Sequence, residues 1–104
     1  MILVKKGASI ANCRQPILVA LIQIASIFES EGVDTVVTSG SEVYKHTANR
    51  SAHYRGDAID VRSRTVADPV VTRQAIADLL GADFVVILES NHFHIHWSPV
   101  YGQG

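Results

Sequence analysis

Apolar residues recur at helical spacing over residues 15–31, where Ile17, Leu21, Ile24 and Phe28 form one row and Leu18, Ile22 and Ala25 fill the adjoining rows. Pro16 suits the first turn, where its missing N–H is not needed, and Gly32 suits the stop. The pattern predicts one long core helix. At residues 35–38 the period changes: Thr35-Val36-Val37-Thr38 is β-branched, alternating and bounded by turn residues, and predicts a buried strand. Ile59-Asp60-Val61 predicts a short strand with Asp60 on the face opposite its apolar neighbours. Asp68-Pro69 predicts the start of a second helix and Gly81 its end, with Val71, Ala75, Leu79, Ile76 and Leu80 as its apolar face. Residues 84–88 and Phe93-Ile95-Trp97 read as adjacent strands, a hairpin with Glu89-Ser90-Asn91-His92 as its turn. Met1-Ile2-Leu3-Val4 reads as a first strand. The order of elements predicts a small α+β domain with two main helices and mostly antiparallel strands.

At 104 residues the chain is long enough for one domain, with 47% hydrophobic residues to build a modest core. A formal charge of −1 gives no basic field for nucleic acid, and no apolar run approaches the length of a membrane span. No basic segment precedes the first strand, so no signal peptide is expected, and export would need a lysis pore or a virion. Cys13 is the only cysteine, which excludes an internal disulfide and a thiolate cluster; it reads as a small buried residue before the first helix.

Residues 39–56 keep no sustained period, and long irregular stretches of this kind usually serve function. All five histidines lie in two stretches, 46–53 and 92–96. His53 and Asp60 are an imidazole and a carboxylate, both ligand types that zinc accepts, and Gly56 between them lets the chain turn so that both can face one ion. Three protein ligands and an open position make a catalytic zinc site. Strand alternation puts His92, His94 and His96 on one face as candidates for the third ligand.

Ser51-x-His53-x-x-Gly56-x-Ala58-x-Asp60, followed by Glu89 and His-x-His pairs, resembles the zinc peptidase superfamily of D-alanyl-D-alanine carboxypeptidases and L-alanyl-D-glutamate peptidases. Those proteins share their fold with the hedgehog signalling domain. The likeness runs from about residue 36 to residue 99 and is nearest to the small single-domain, endolysin-like versions that bacteriophages encode. It implies the hedgehog/DD-peptidase fold and a Zn2+ cofactor held by His53, Asp60 and the second member of a His-x-His pair. Alignment without gaps to the phage-like pattern makes that member His94 and leaves His92 to bond the oxyanion. Alignment on His-Ile-His, as in hedgehog domains, makes it His96.

The same resemblance implies Glu89 as general base and Ser51 and His46 as substrate-binding groups, and Tyr54, beside His53, could line the cleft for substrate. Asn91 departs from it, since many relatives carry aspartate before the His-x-His pair. Glu42 departs too, standing where carboxypeptidase-type members carry an arginine. Arg50, Arg55 and Arg62 are cations that could meet the carboxylates of a peptidoglycan stem peptide, or could simply be solvated. The expected function is a zinc metallopeptidase, a hydrolase that degrades cell wall by cutting stem peptides, at the L-alanyl-D-glutamate bond first of all. The rivals are a zinc-binding structural or virion module without turnover and a D-Ala-D-Ala carboxypeptidase.

Overall fold

The computed structural model describes residues 1–42 and 52–99. In chain order the elements are β1 (Ile2–Val4), α1 (Gln15–Ser30), β2 (Thr35–Ser39), β3 (Ala58–Arg62), α2 (Pro69–Leu80), β4 (Phe84–Leu88) and β5 (His92–Trp97). The strands form one mixed sheet in the order β1-β2-β3-β5-β4, in which β1 and β2 are parallel and the other neighbours antiparallel. This is the expected α+β class with two helices. Among the described residues no helix is long and apolar enough to cross a membrane.

Alternation divides the sheet into two unlike faces. Val37, Ile59, Val61, Val86, Phe93 and Ile95 point to the helices and join Ile17, Leu21, Ile24, Phe28 and Ile76 in a single core cluster. Phe28 meets Phe93 edge to face, with centroids 6.2 Å apart and planes at 88°, the arrangement that ring quadrupoles favour. Asp60, Arg62, His92, His94 and His96 lie on the opposite face because their neighbours in the strands are committed to the core.

α1 carries Pro16 in its first turn, as expected, and its Arg14 N-cap makes no side-chain cap bond. α2 is capped by Asp68, whose carboxylate accepts from the backbone N–H groups of Val70 and Val71. Glu31 joins the two helices, accepting from Ala67 N at 3.1 Å and from the Thr72 hydroxyl at 3.2 Å.

The expected apolar faces are right in part. Ile22, assigned to the core side of α1, is 65% exposed; the side of α1 away from Ile17, Leu21, Ile24 and Phe28 reaches solvent. On α2 the packed row is Thr72, Ile76 and Leu80, whereas Val71 and Leu79 are exposed. Both rows have helical spacing, and the short helix turns the row beginning at the threonine to the sheet. A hydroxyl that finds Glu31 removes the reason for Thr72 to stay in water.

Candidate metal centre

β3 and β5 pair in the register Asp60↔His94, which puts the carboxylate and the imidazole side by side on the open face. His94 Nδ1 stands 3.0 Å from Asp60 Oδ1, and His53 Nε2 stands 3.5 Å from the same oxygen. One ligand atom from each of His53, Asp60 and His94 falls within 4.8 Å of the others, so these three residues could hold a metal ion.

His53 comes from the turn of residues 52–57 rather than from a strand, and several contacts fix that turn. Gly56 N–H donates to His53 O at 3.0 Å, and Asp57 N–H to Ala52 O at 2.9 Å. Gly56 has φ +75°, and a Cβ there would lie 2.1 Å from Asn12 O, so only glycine fits. Its carbonyl accepts from Arg14 N at 2.8 Å, joining the turn to the start of α1. The Asp57 carboxylate lies 3.3 Å from Arg14 and 3.4 Å from Arg55. The Arg14 guanidinium also covers the Trp97 ring at 5.0 Å.

The ring of His53 is buried and its Nδ1 lies 2.9 Å from Gly40 O. A carbonyl can only accept, so Nδ1 carries a hydrogen, and Nε2 is left facing Asp60, where a proton or a metal ion can sit between them. Glu42 holds that carbonyl in place. Its carboxylate is 6% exposed and accepts from Ser9 N at 2.9 Å, from Gly40 N at 2.7 Å and from the Ser39 hydroxyl at 2.5 Å. Burial alone would raise its pKa, but these hydrogen bonds outweigh burial and hold the carboxyl below its usual range. A shift in register between Val37 and Ser39, two residues on β2 against one on β3, bends the strand end into this cradle. The sequence marks Glu42 only as a departure from an expected arginine. In the fold it organises the peptide that orients His53.

Asp60 is desolvated, which would raise its pKa, yet His53 and His94 bond its carboxylate and press it far below the ordinary range. Asp60 in turn raises the pKa of His53 against the effect of that ring's own burial. Each charge is stabilised by the others, which is the environment a divalent cation would share. His94 presents Nδ1 to Asp60 and keeps Nε2 for His96 Nδ1 at 2.9 Å. A metal-binding histidine usually has such a partner on its outer nitrogen. Burial and the neighbouring His94, Arg55 and His53 lower the pKa of His96, which favours the neutral ring as that partner. This contact gives His96 a place that strand alternation alone did not reveal.

His92 is half-buried, with Nδ1 2.7 Å from Asn91 Oδ1 and Nε2 3.7 Å from Asp60 Oδ2. Glu89 pairs with His92 across the hairpin, its N–H donating to His92 O at 2.8 Å, and is exposed. Glu89 directly follows β4, two residues beyond Ile87, whose partner on β5 is His94. Tyr54 is half-buried in the turn beside His53. His46, Arg50 and Ser51 lie outside the described residues. Cys13 is buried in the core cluster, where desolvation raises its thiol pKa, and it is not part of the metal-binding group.

No protein-family model, curated protein or solved structure gives a significant match to this chain.

Proposed function

We propose that this chain is a zinc-dependent peptidase that hydrolyses peptidoglycan stem peptides, with the L-alanyl-D-glutamate bond as its target. The observation that carries the reading is the convergence of His53, Asp60 and His94 on the sheet face opposite the helices, with Glu89 paired to His92 at the end of the same hairpin. The donor set of two imidazoles and a carboxylate suits zinc. Tetrahedral zinc with bonds of about 2.0–2.1 Å separates its ligand atoms by roughly 3.4 Å. The separations around Asp60 Oδ1 are 3.0 and 3.5 Å, and all three ligand atoms lie within 4.8 Å of one another, close enough for one small ion to reach them all. Zinc, when bound, supplies a Lewis acid that polarises the scissile carbonyl and makes a water more acidic.

The chain's own groups supply the rest. The hydrogen bond from His53 Nδ1 to Gly40 O, and the contact between His94 Nε2 and His96, keep the ligand nitrogens pointed at the centre. Glu89 takes a proton from the attacking water on a carboxylate oxygen and delivers it to the leaving amine as the C–N bond breaks. The His92 ring, beside Asp60, bonds the oxygen that gains charge on the scissile carbon. Glu42 is committed to Ser9, Ser39 and Gly40 and offers substrate no cation, which favours the endopeptidase over the D-Ala-D-Ala carboxypeptidase.

Digestion of purified peptidoglycan by the zinc-loaded protein, read by mass spectrometry of the muropeptides, tests this reading. Fragments with a new amino terminus on D-glutamate are expected. Release of D-alanine would shift the target to the carboxypeptidase bond, and intact stem peptides would leave a zinc-binding structural module.

A further inference from the structure

The metal centre has unlike flanks. Toward β4, the cross-strand neighbours of His96 and His94 are Val85 and Ile87, both apolar and partly exposed. Toward β1 and β2 lies a pocket of about 130 Å³ lined by Lys5, Thr38, Arg62, Arg64 and Asn91. Among the described residues that line it, Lys5, Arg62 and Arg64 are cations, in a chain whose formal charge is −1. Among the described residues none of the three has a carboxylate partner. Cations held together without a counter-ion repel one another, and an anionic ligand relieves that repulsion.

The pocket adjoins the metal centre. Arg62 is two residues beyond Asp60 on the same face of β3, roughly 6–7 Å along the strand. The Thr38 hydroxyl donates to the Asp60 backbone carbonyl at 3.4 Å. Asn91 turns its Oδ1 to His92 Nδ1, which leaves its amide N–H groups without a partner among the described residues. Two guanidinium forks, an ammonium and an amide make a donor set suited to a planar carboxylate, and the volume admits that group with its nearest carbons.

We propose that this pocket is the subsite that holds the free carboxylate of the substrate, seating it at Lys5, Arg62 and Arg64. The inference rests on the peptidase reading and adds which of the chain's own groups hold the free carboxylate of the acidic residue. Arg62 and Arg64 act by binding the substrate, apart from the metal ligands.

Calorimetry with the zinc-loaded protein tests it without turnover, using the ketomethylene isostere of N-acetyl-L-alanyl-D-glutamate, in which an uncleavable C–C bond replaces the scissile C–N bond, and its counterpart with both carboxylates amidated. The acidic probe should bind about 10- to 100-fold tighter than the amide, and the preference should shrink as salt rises. Arg62→Gln with Arg64→Gln should remove most of that preference while zinc content and the amide probe's affinity stay unchanged. Lys5→Gln, at an exposed position, gives a second variant if the double one folds poorly. Equal binding of the two probes by the unsubstituted protein, equal loss of both in the variants, or preferential capture of inorganic phosphate over the acidic probe would overturn the subsite. Stem peptides left uncut by a protein that still prefers the acidic probe would instead overturn the peptidase reading and leave the carboxylate pocket standing. Cleavage without any charge preference would do the reverse.

Discussion

The two faces of β5 are built from one hexapeptide, yet they obey different rules. Phe93 and Ile95 are fully buried against the helices, where shape and volume decide what fits. His92, His94 and His96 alternate with them on the opposite face, which no helix covers among the described residues, each half-buried and each bonded or close to another polar group. The first face stabilises the fold through burial. The second concentrates ionisable groups around one carboxylate, Asp60, which the neighbouring imidazoles hold in its charged form. A strand in the middle of a sheet can therefore hold a site rigidly, because its core half fixes where its polar half points.

That contrast is open to direct attack. At the site the largest effect belongs to Glu89→Gln, which should keep zinc and thermal stability but lose cleavage by roughly 10²- to 10⁴-fold, as expected for loss of a general base. Turnover of muropeptides equal to that of the unsubstituted protein would move the base elsewhere. On the core face, Phe93→Ala should cost about 3–5 kcal/mol of unfolding free energy in denaturant titration, since it empties the contact with Phe28. A loss under about 1 kcal/mol would mean that this side is not the tightly packed one.

Between these stands Glu42, which belongs to the fold but serves the site. Glu42→Ala should cost about 2–3 kcal/mol, because it strands the buried donors of Gly40 and Ser9 and loosens the carbonyl that orients His53. Its folded pKa is lowered, so its contribution is fully present above the usual glutamate range and is lost as pH falls through the folded value. Unfolding curves for the protein and the variant should converge on acidification; a constant gap down to the acid transition would contradict the assignment. The smallest effect is expected at Ile87→Thr on the open face, within about 0.5 kcal/mol of neutral. A loss of several kcal/mol would show that this side of β4 is covered.

Much of this contrast was legible in the sequence, for a local reason. Alternation in Phe93-His94-Ile95-His96 and the β-branched run at residues 35–38 report which side chains share a face, and Asp68-Pro69 and Gly81 mark the ends of α2 directly. The choice among three histidines on one face depends on the pairing Asp60↔His94 across 34 residues, which no local pattern encodes. Glu42 was opaque for a similar reason: its partners Ser9, Ser39 and Gly40 meet only after β2 has bent beside the segment before α1. The exposed row of α2 misled because two rows of apolar residues have helical spacing and only packing chooses between them.

The central claim is that His94, and not the neighbouring His96, completes a metal site with His53 and Asp60. Zinc content after dialysis against a mild chelator, measured side by side for the unsubstituted protein, His94→Ala and His96→Ala, tests it most directly. The geometry predicts one zinc per chain in the unsubstituted protein and none in His94→Ala. His96→Ala should retain zinc with an affinity weakened by roughly 10- to 100-fold, because it loses only the partner of the ligand's outer nitrogen. Zinc kept by His94→Ala and lost from His96→Ala, or no zinc bound by the unsubstituted protein, would contradict the account.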